Sequence, residues 1–185
     1  ADSARLIETY HDASFGSMRQ VALAPCSPFS VSAELLRQSA ILARQYHVRL
    51  HTHLCETKDE EAYMLEREGM RPLAFMQTLG WVGPDVWYAH GIHFNDEELK
   101  LLAETGTGVC HCPASNMKLS SGIARIPDML KLGVELWQAG KIGGYVFGPL
   151  NKAGMHDAGL TLESEHHYLA KLLGHTDPFG EINVT

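Results

Sequence analysis

The chain has 185 residues, 45% of them hydrophobic and 20% charged, with a formal net charge of −7. That length supports one domain with a sizeable core, and the negative balance argues against nucleic acid or an anionic membrane surface as a partner. No apolar run approaches a membrane span, no basic leader precedes an apolar stretch, and Cys26, Cys55, Cys110 and Cys112 make no CxxC pair, so a reduced, cytoplasmic chain is expected.

Residues 3–10 read as the end of a helix. Residues 20–24 (QVALA) make a short strand, closed by Pro25-Cys26-Ser27-Pro28, whose prolines stop regular structure. Ser30 or Ser32 can cap a helix over Ala33–Tyr46, with Leu35, Leu36, Leu42 and Ala43 on its apolar face. A strand over Val48–Leu54 follows. The acidic run Asp59-Glu60-Glu61 then suits the start of a helix, and a second helical piece spans Pro72–Leu79 with Gly80 beyond it. Val86–Ala89 is a strand ending in His90-Gly91. Asn95 caps a helix through Ala103, with Leu99, Leu101 and Leu102 for the core, and Gly106 ends it. Gly108–His111 is another strand, running into a loop over Cys112–Gly122; Ile126–Leu132 is helical and stops at Gly133. This β-α alternation predicts a parallel sheet with helices packed outside.

Chemistry-bearing residues gather at the ends of these strands. The stretch Val48–Thr57 (VRLHTHLCET) carries two imidazoles, a thiol and a carboxylate. Alternation puts His51, His53 and Cys55 on one face while the strand lasts, and Glu56 follows where it gives way to a loop. A histidine ligand with a carboxylate three residues on can bind a metal and move protons beside it. Taken alone, such a pair fits a structural histidine equally well. Cys26, His53 with Glu56, His90 and His111, however, close four successive strands, and active sites of parallel barrels and sheets lie at that edge. Cys26 by itself reads as a small buried loop residue. The chain has 11 histidines, which hints at metal chemistry without locating it.

Past Gly133 the pattern changes. Val134–Leu136 could begin a strand, a glycine-dense stretch follows, and Leu160–Leu173 holds a last helix. Glu165, His166 and His167 are adjacent on that helix and do not face one point, so they read as a solvated face. The tail after Gly174 reads as irregular.

Four stretches, APCSPFSVS (24–32), HTHLCET (51–57), YAHGIHF (88–94) and VCHCPASNMKLSSGIA (109–124), together resemble the amidohydrolase superfamily in its cytosine-deaminase-like and chlorohydrolase-like branch. The resemblance implies an α/β fold, part of a (β/α)8 TIM-type barrel comprising strands four to seven, over residues 1–134, with 135–185 a divergent segment. It implies one divalent metal, Zn or Fe, with His53 as ligand, Glu56 as the proton shuttle and His90 against substrate and the attacking water. Cys26 stands where adenosine-type relatives carry histidine, which favours 8-oxoguanine over adenosine; Asn116 of the PASN loop is a structural or substrate-side residue. The implied substrate is a small aminopurine, or alternatively an aminotriazine of the hydroxyatrazine type. His51 is not a ligand in the motif.

Two ligand-bearing parts of the motif set are not found. An HxH strand would lie upstream of Ala1, and an Asp ligand is expected soon after Gly133, where the chain reads LWQAGKIGG; Asp157 has the wrong context. The expectation is therefore a piece of a longer deaminase. The competing one is a non-catalytic half-barrel, assembled as a homo-oligomer to cover open sheet edges.

Overall fold

The computed structural model describes residues 2–140, 156, 162 and 165–176. They fall into two units, Ala1–Gly122 and Ile123–Thr185.

The first unit is built on four parallel strands in the order β1 (Ala22–Leu23), β2 (Arg49–Leu54), β3 (Val86–His90), β4 (Gly108–Cys110). Ahead of β1 lies α1 (Asp2–Tyr10). The crossovers carry α2 (Ala33–Gln45), the pair α3 (Lys58–Glu68) and α4 (Pro72–Thr78), and α5 (Asp96–Thr105). Each break has a local cause. Ser32 caps α2 by accepting from the Leu35 amide, and Thr57 caps α3 by accepting from Glu60. Asn95 and Glu98 close a reciprocal capping box on α5. Gly69 and Gly106 end α3 and α5 in the left-handed conformation.

Register places the site. Leu50, His51, Thr52, His53 and Leu54 pair with Val86, Trp87, Tyr88, Ala89 and His90 in turn, and Trp87–Ala89 pair with Gly108–Cys110. Paired residues share a face, so His53, Ala89 and Cys110 form one row and His51, Trp87 and Gly108 the row below. Leu50, Thr52 and Leu54 on the other face are buried, whereas His51 and His53 are half-buried. His51 stacks on Trp87 with ring centroids 4.7 Å apart. Behind the sheet Leu36, Ala40 and Ala43 of α2 are buried, together with Trp81, whose indole N–H donates to the Leu36 carbonyl at 2.8 Å.

In the second unit α7 (Ile126–Gln138) and a helix over Glu165–Leu172 are linked by the Tyr168 hydroxyl, which donates to the Pro127 carbonyl at 3.2 Å. His167 is exposed and His166 half-buried.

Several expectations need correcting. The loop over 112–122 contains a helix, α6 (Pro113–Lys118), started by Pro113, whose fixed φ suits the first helical position. Gly133 does not stop α7, and Val134–Leu136 belong to that helix, not to a strand. A glycine inside a helix costs about 1 kcal/mol but breaks it only if the backbone turns; Gly140, at φ +66°, is the one that turns. Leu35 points outward, because the buried stripe of α2 follows the i, i+4, i+7 spacing from Leu36. The glycine-dense run 141–155, Asp157 and the tail after 176 lie outside the described residues. Among the described residues no helix is long and apolar enough to cross a membrane.

Candidate active site

All four strands are parallel, so their C-terminal ends share one edge, where His53, Glu56 and His90 converge. His53 is the penultimate residue of β2. Its Nδ1 lies 2.7 Å from the Cys26 carbonyl, which also accepts from the His53 amide at 3.2 Å and the Thr52 hydroxyl at 2.9 Å. A carbonyl can only accept, so Nδ1 carries the proton and Nε2 presents a lone pair. A carbonyl holding Nδ1–H in this way fixes the ring and its tautomer, as it does in metal-binding imidazoles.

His90 closes β3. Its Nε2 is 3.5 Å from Glu56 Oε2, its Nδ1 is 2.7 Å from Asn116 Oδ1, and its ring centroid is 5.3 Å from that of His53. His90 and Asn116 are both buried. With Oδ1 accepting, Nδ1 carries a proton and Nε2 faces Glu56. Asn116 is supplied by α6, the helix not foreseen in the loop after β4. One helical turn from Pro113 brings its amide under His90.

His111, just past β4, is half-buried. Burial, and secondly the neighbouring His90, push its pKa down, and its Nδ1 is buried with no hydrogen-bond partner among the described residues. The same holds for Asn116 Nδ2 and Ser121 Oγ. Burial also lowers the pKa of His51.

Two cysteine expectations change. Cys26 is exposed, not a buried loop residue, and it is its carbonyl that engages His53. Cys55 does not share the face of His51 and His53. The strand ends at Leu54, and Cys55 takes φ +53°, which turns its side chain into the core at 2% exposure. Burial pushes its thiol pKa well up.

His93 was not singled out beforehand. Its ring Nε2 is 2.9 Å from the Ser121 carbonyl, which ties the loop after β3 to the segment following α6. Its place two residues beyond Gly91, in YAHGIHF, was the available signal.

The chain is 53% identical, over 74% of its length, to 8-oxoguanine deaminase of Pseudomonas aeruginosa, of which the match covers 30%. It is 43% identical, over 74% of its length and 28% of the relative's, to hydroxydechloroatrazine ethylaminohydrolase of Pseudomonas sp. strain ADP. In structure it is similar to atrazine chlorohydrolase from Arthrobacter aurescens TC1 complexed with zinc, at a TM-score of 0.68 and 32% identity, covering 71% of this chain and 29% of that one. The chain thus spans about 30% of the length of the curated relative at 53% identity. The four parallel strands and their outer helices are part of the barrel of those proteins. The model of the Amidohydrolase family matches residues 2–139, and the chain belongs to that family.

Proposed function

We propose that this chain contributes the proton-transfer side of a metal-dependent hydrolytic deaminase of a small aminopurine, 8-oxoguanine first, giving uric acid and ammonia. One observation carries the reading: Glu56 Oε2 stands 3.5 Å from His90 Nε2, beside a His53 whose Nδ1 is committed to the Cys26 carbonyl. The 53% identity to an 8-oxoguanine deaminase supports the substrate class.

His53 fits a metal ligand, because its free Nε2 is held in place by the bond on Nδ1. One imidazole is too few, since a catalytic zinc takes about three protein ligands. Among the described residues no group of three or more His, Cys, Asp or Glu could hold an ion. The described residues therefore do not form the metal site by themselves. A divalent ion, zinc or iron, would supply polarisation of the attacking water.

The chain's own residues account for the protons. In this reading Glu56 takes a proton from water as the water oxygen bonds to the purine carbon bearing the amine and the C=N π pair moves onto the ring nitrogen, to return when the amine leaves. As the C–N bond breaks, Glu56 returns that proton to the nitrogen, which leaves as ammonia. His90 Nε2 faces the same carboxylate and can share the proton, while Asn116 fixes the other ring nitrogen. Asn116 Nδ2 remains as a buried donor for a substrate carbonyl. Cys26, exposed at the same edge, is a further substrate contact in this reading.

The test is elemental analysis of the purified protein, with ammonia and uric acid measured on 8-oxoguanine and ethylamine measured on an N-ethylaminotriazine. Uric acid and ammonia in equal amounts support the proposal. Ethylamine release without turnover of 8-oxoguanine favours the triazine reading, which the 43% relative motivates. Metal-loaded protein inert to both refutes the deaminase reading.

A further inference from the structure

Glu60 takes no part in the steps above, yet it is a buried carboxylate, 4% exposed. It occupies the third position of α3, after the cap Thr57, in the spacing Thr-x-x-Glu of a capping box. Asn95 and Glu98 show what that spacing ordinarily does, the Glu98 carboxylate returning to the Asn95 amide at 2.9 Å. Glu60 reaches past its cap. Its Oε2 accepts from the Glu56 amide at 2.9 Å and its Oε1 from the Cys55 amide at 3.0 Å.

Two consecutive amides can converge on one carboxylate only if the strand's alternation is broken, and Cys55 breaks it with φ +53°. The carbonyls of the same turn bind on the other side. Leu54 O accepts from the Gly91 amide at 3.1 Å, and Cys55 O from the Ile92 and His93 amides at 2.9 and 3.0 Å. The turn that Glu60 grips thus grips the turn that follows His90.

We infer that Glu60 is a positioning residue: its carboxylate locks the left-handed Cys55 turn and thereby holds Glu56 opposite His90. This rests on reading Glu56 and His90 as the reacting pair, but its test needs neither metal nor turnover. Loss of metal binding and activity would remove that reading and leave the amide measurements standing.

The experiment is amide hydrogen exchange by NMR on the full, isotope-labelled chain, with the side-chain nitrogen signals of His90 followed alongside. In the wild type, the Cys55 and Glu56 amides should resonate downfield and exchange slowly although they lie outside any helix. Exchange as fast as in an exposed loop overturns the inference. Glu60→Gln keeps the volume but loses one acceptor and the charge. It should speed exchange at these two amides by about tenfold or more, leave Thr52 in mid-strand unchanged, and shift the His90 nitrogens. A uniform rise across the sheet, or no change at Cys55 and Glu56, overturns it. Cys55→Gly supplies the second arm, since glycine adopts positive φ without a clamp. In that background Glu60→Gln should have less than half its effect on Glu56. If Glu60→Gln alone fails to fold, recovery of the fold in the double variant supports the inference and its absence overturns it.

Discussion

Arg71 offers the sharpest test of how the loop beyond His90 is anchored. It precedes α4, and its guanidinium makes two parallel bonds to Glu98, Nε to Oε1 at 2.9 Å and Nη2 to Oε2 at 2.8 Å. It also pairs with Glu61 and donates to the His93 carbonyl at 2.8 Å. Arg71→Met keeps the apolar stem and removes the charge and the donors. Glu98, 7% exposed, would retain only the Asn95 amide of these partners and no cation. Stranding one member of a fully buried pair costs about 3–5 kcal/mol. The Arg71 side chain is 25% exposed, so water can reach the gap. A loss of about 2–3 kcal/mol is therefore expected. For a chain of this size that is a fall of about 4–12 °C in Tm. Urea titration followed by circular dichroism measures it. Glu98→Gln in the Arg71→Met background should restore most of the loss, giving a coupling of about 2 kcal/mol in the double-mutant cycle. A loss under about 1 kcal/mol, or an additive cycle, refutes the argument that Glu98 depends on Arg71 for its charge.

Gly91→Ala should cost about 2–4 kcal/mol, because φ is +59° and an added Cβ would fall 2.7 Å from Val109 Cγ1 and 2.8 Å from Phe94 Cε2. Gly69→Ala, also left-handed at φ +70° but in open space, should cost about 1 kcal/mol, and equal losses in denaturation would contradict the steric account. Peptide-resolved alkylation at mildly alkaline pH should modify exposed Cys26 more than about tenfold faster than Cys55, whose buried thiol is held protonated. Comparable rates would mean that the Cys55 turn opens readily. Glu56→Gln should reduce deamination by about a hundredfold or more with an unchanged urea midpoint; retained turnover would remove Glu56 from proton transfer.

Period and punctuation made the scaffold legible. Alternation in β2 correctly separated the half-buried His51 and His53 from buried Leu50, Thr52 and Leu54; Asn95 caps its helix as read, and of the two serines offered for α2 it is Ser32 that caps. The convergence of strand ends followed from the β-α alternation alone. What could not be read was backbone handedness at non-glycine residues. Nothing in HLCET announces that Cys55 is left-handed, and its side chain was assigned to the wrong face for that reason. The same blindness applied to α6. CPASN carries proline and asparagine, which read as a loop, until Pro113 is seen as a first helical residue that places Asn116 beneath His90.

Cys55 and His90, two of the non-glycine residues with positive φ, share one logic. By register His90 pairs with Leu54, whose side chain is buried on the face away from His53. Strict alternation would send His90 the same way, into the helix layer. At φ +74° it turns instead towards His53, Glu56 and Asn116. Cys55 does the converse, leaving the site for the core so that Glu56 can enter it. Each departure costs about 1–2 kcal/mol for an ordinary side chain. Each is held by bonds that a flat strand could not make: Glu60 on the Cys55 and Glu56 amides, Asn116 on the His90 ring, and Leu54 and Cys55 carbonyls on the Gly91, Ile92 and His93 amides. The residues that compensate strain at both strand ends also bring a carboxylate within 3.5 Å of an imidazole, so substitutions at Glu60 or Asn116, unlike Glu56→Gln, are expected to change stability and chemistry together.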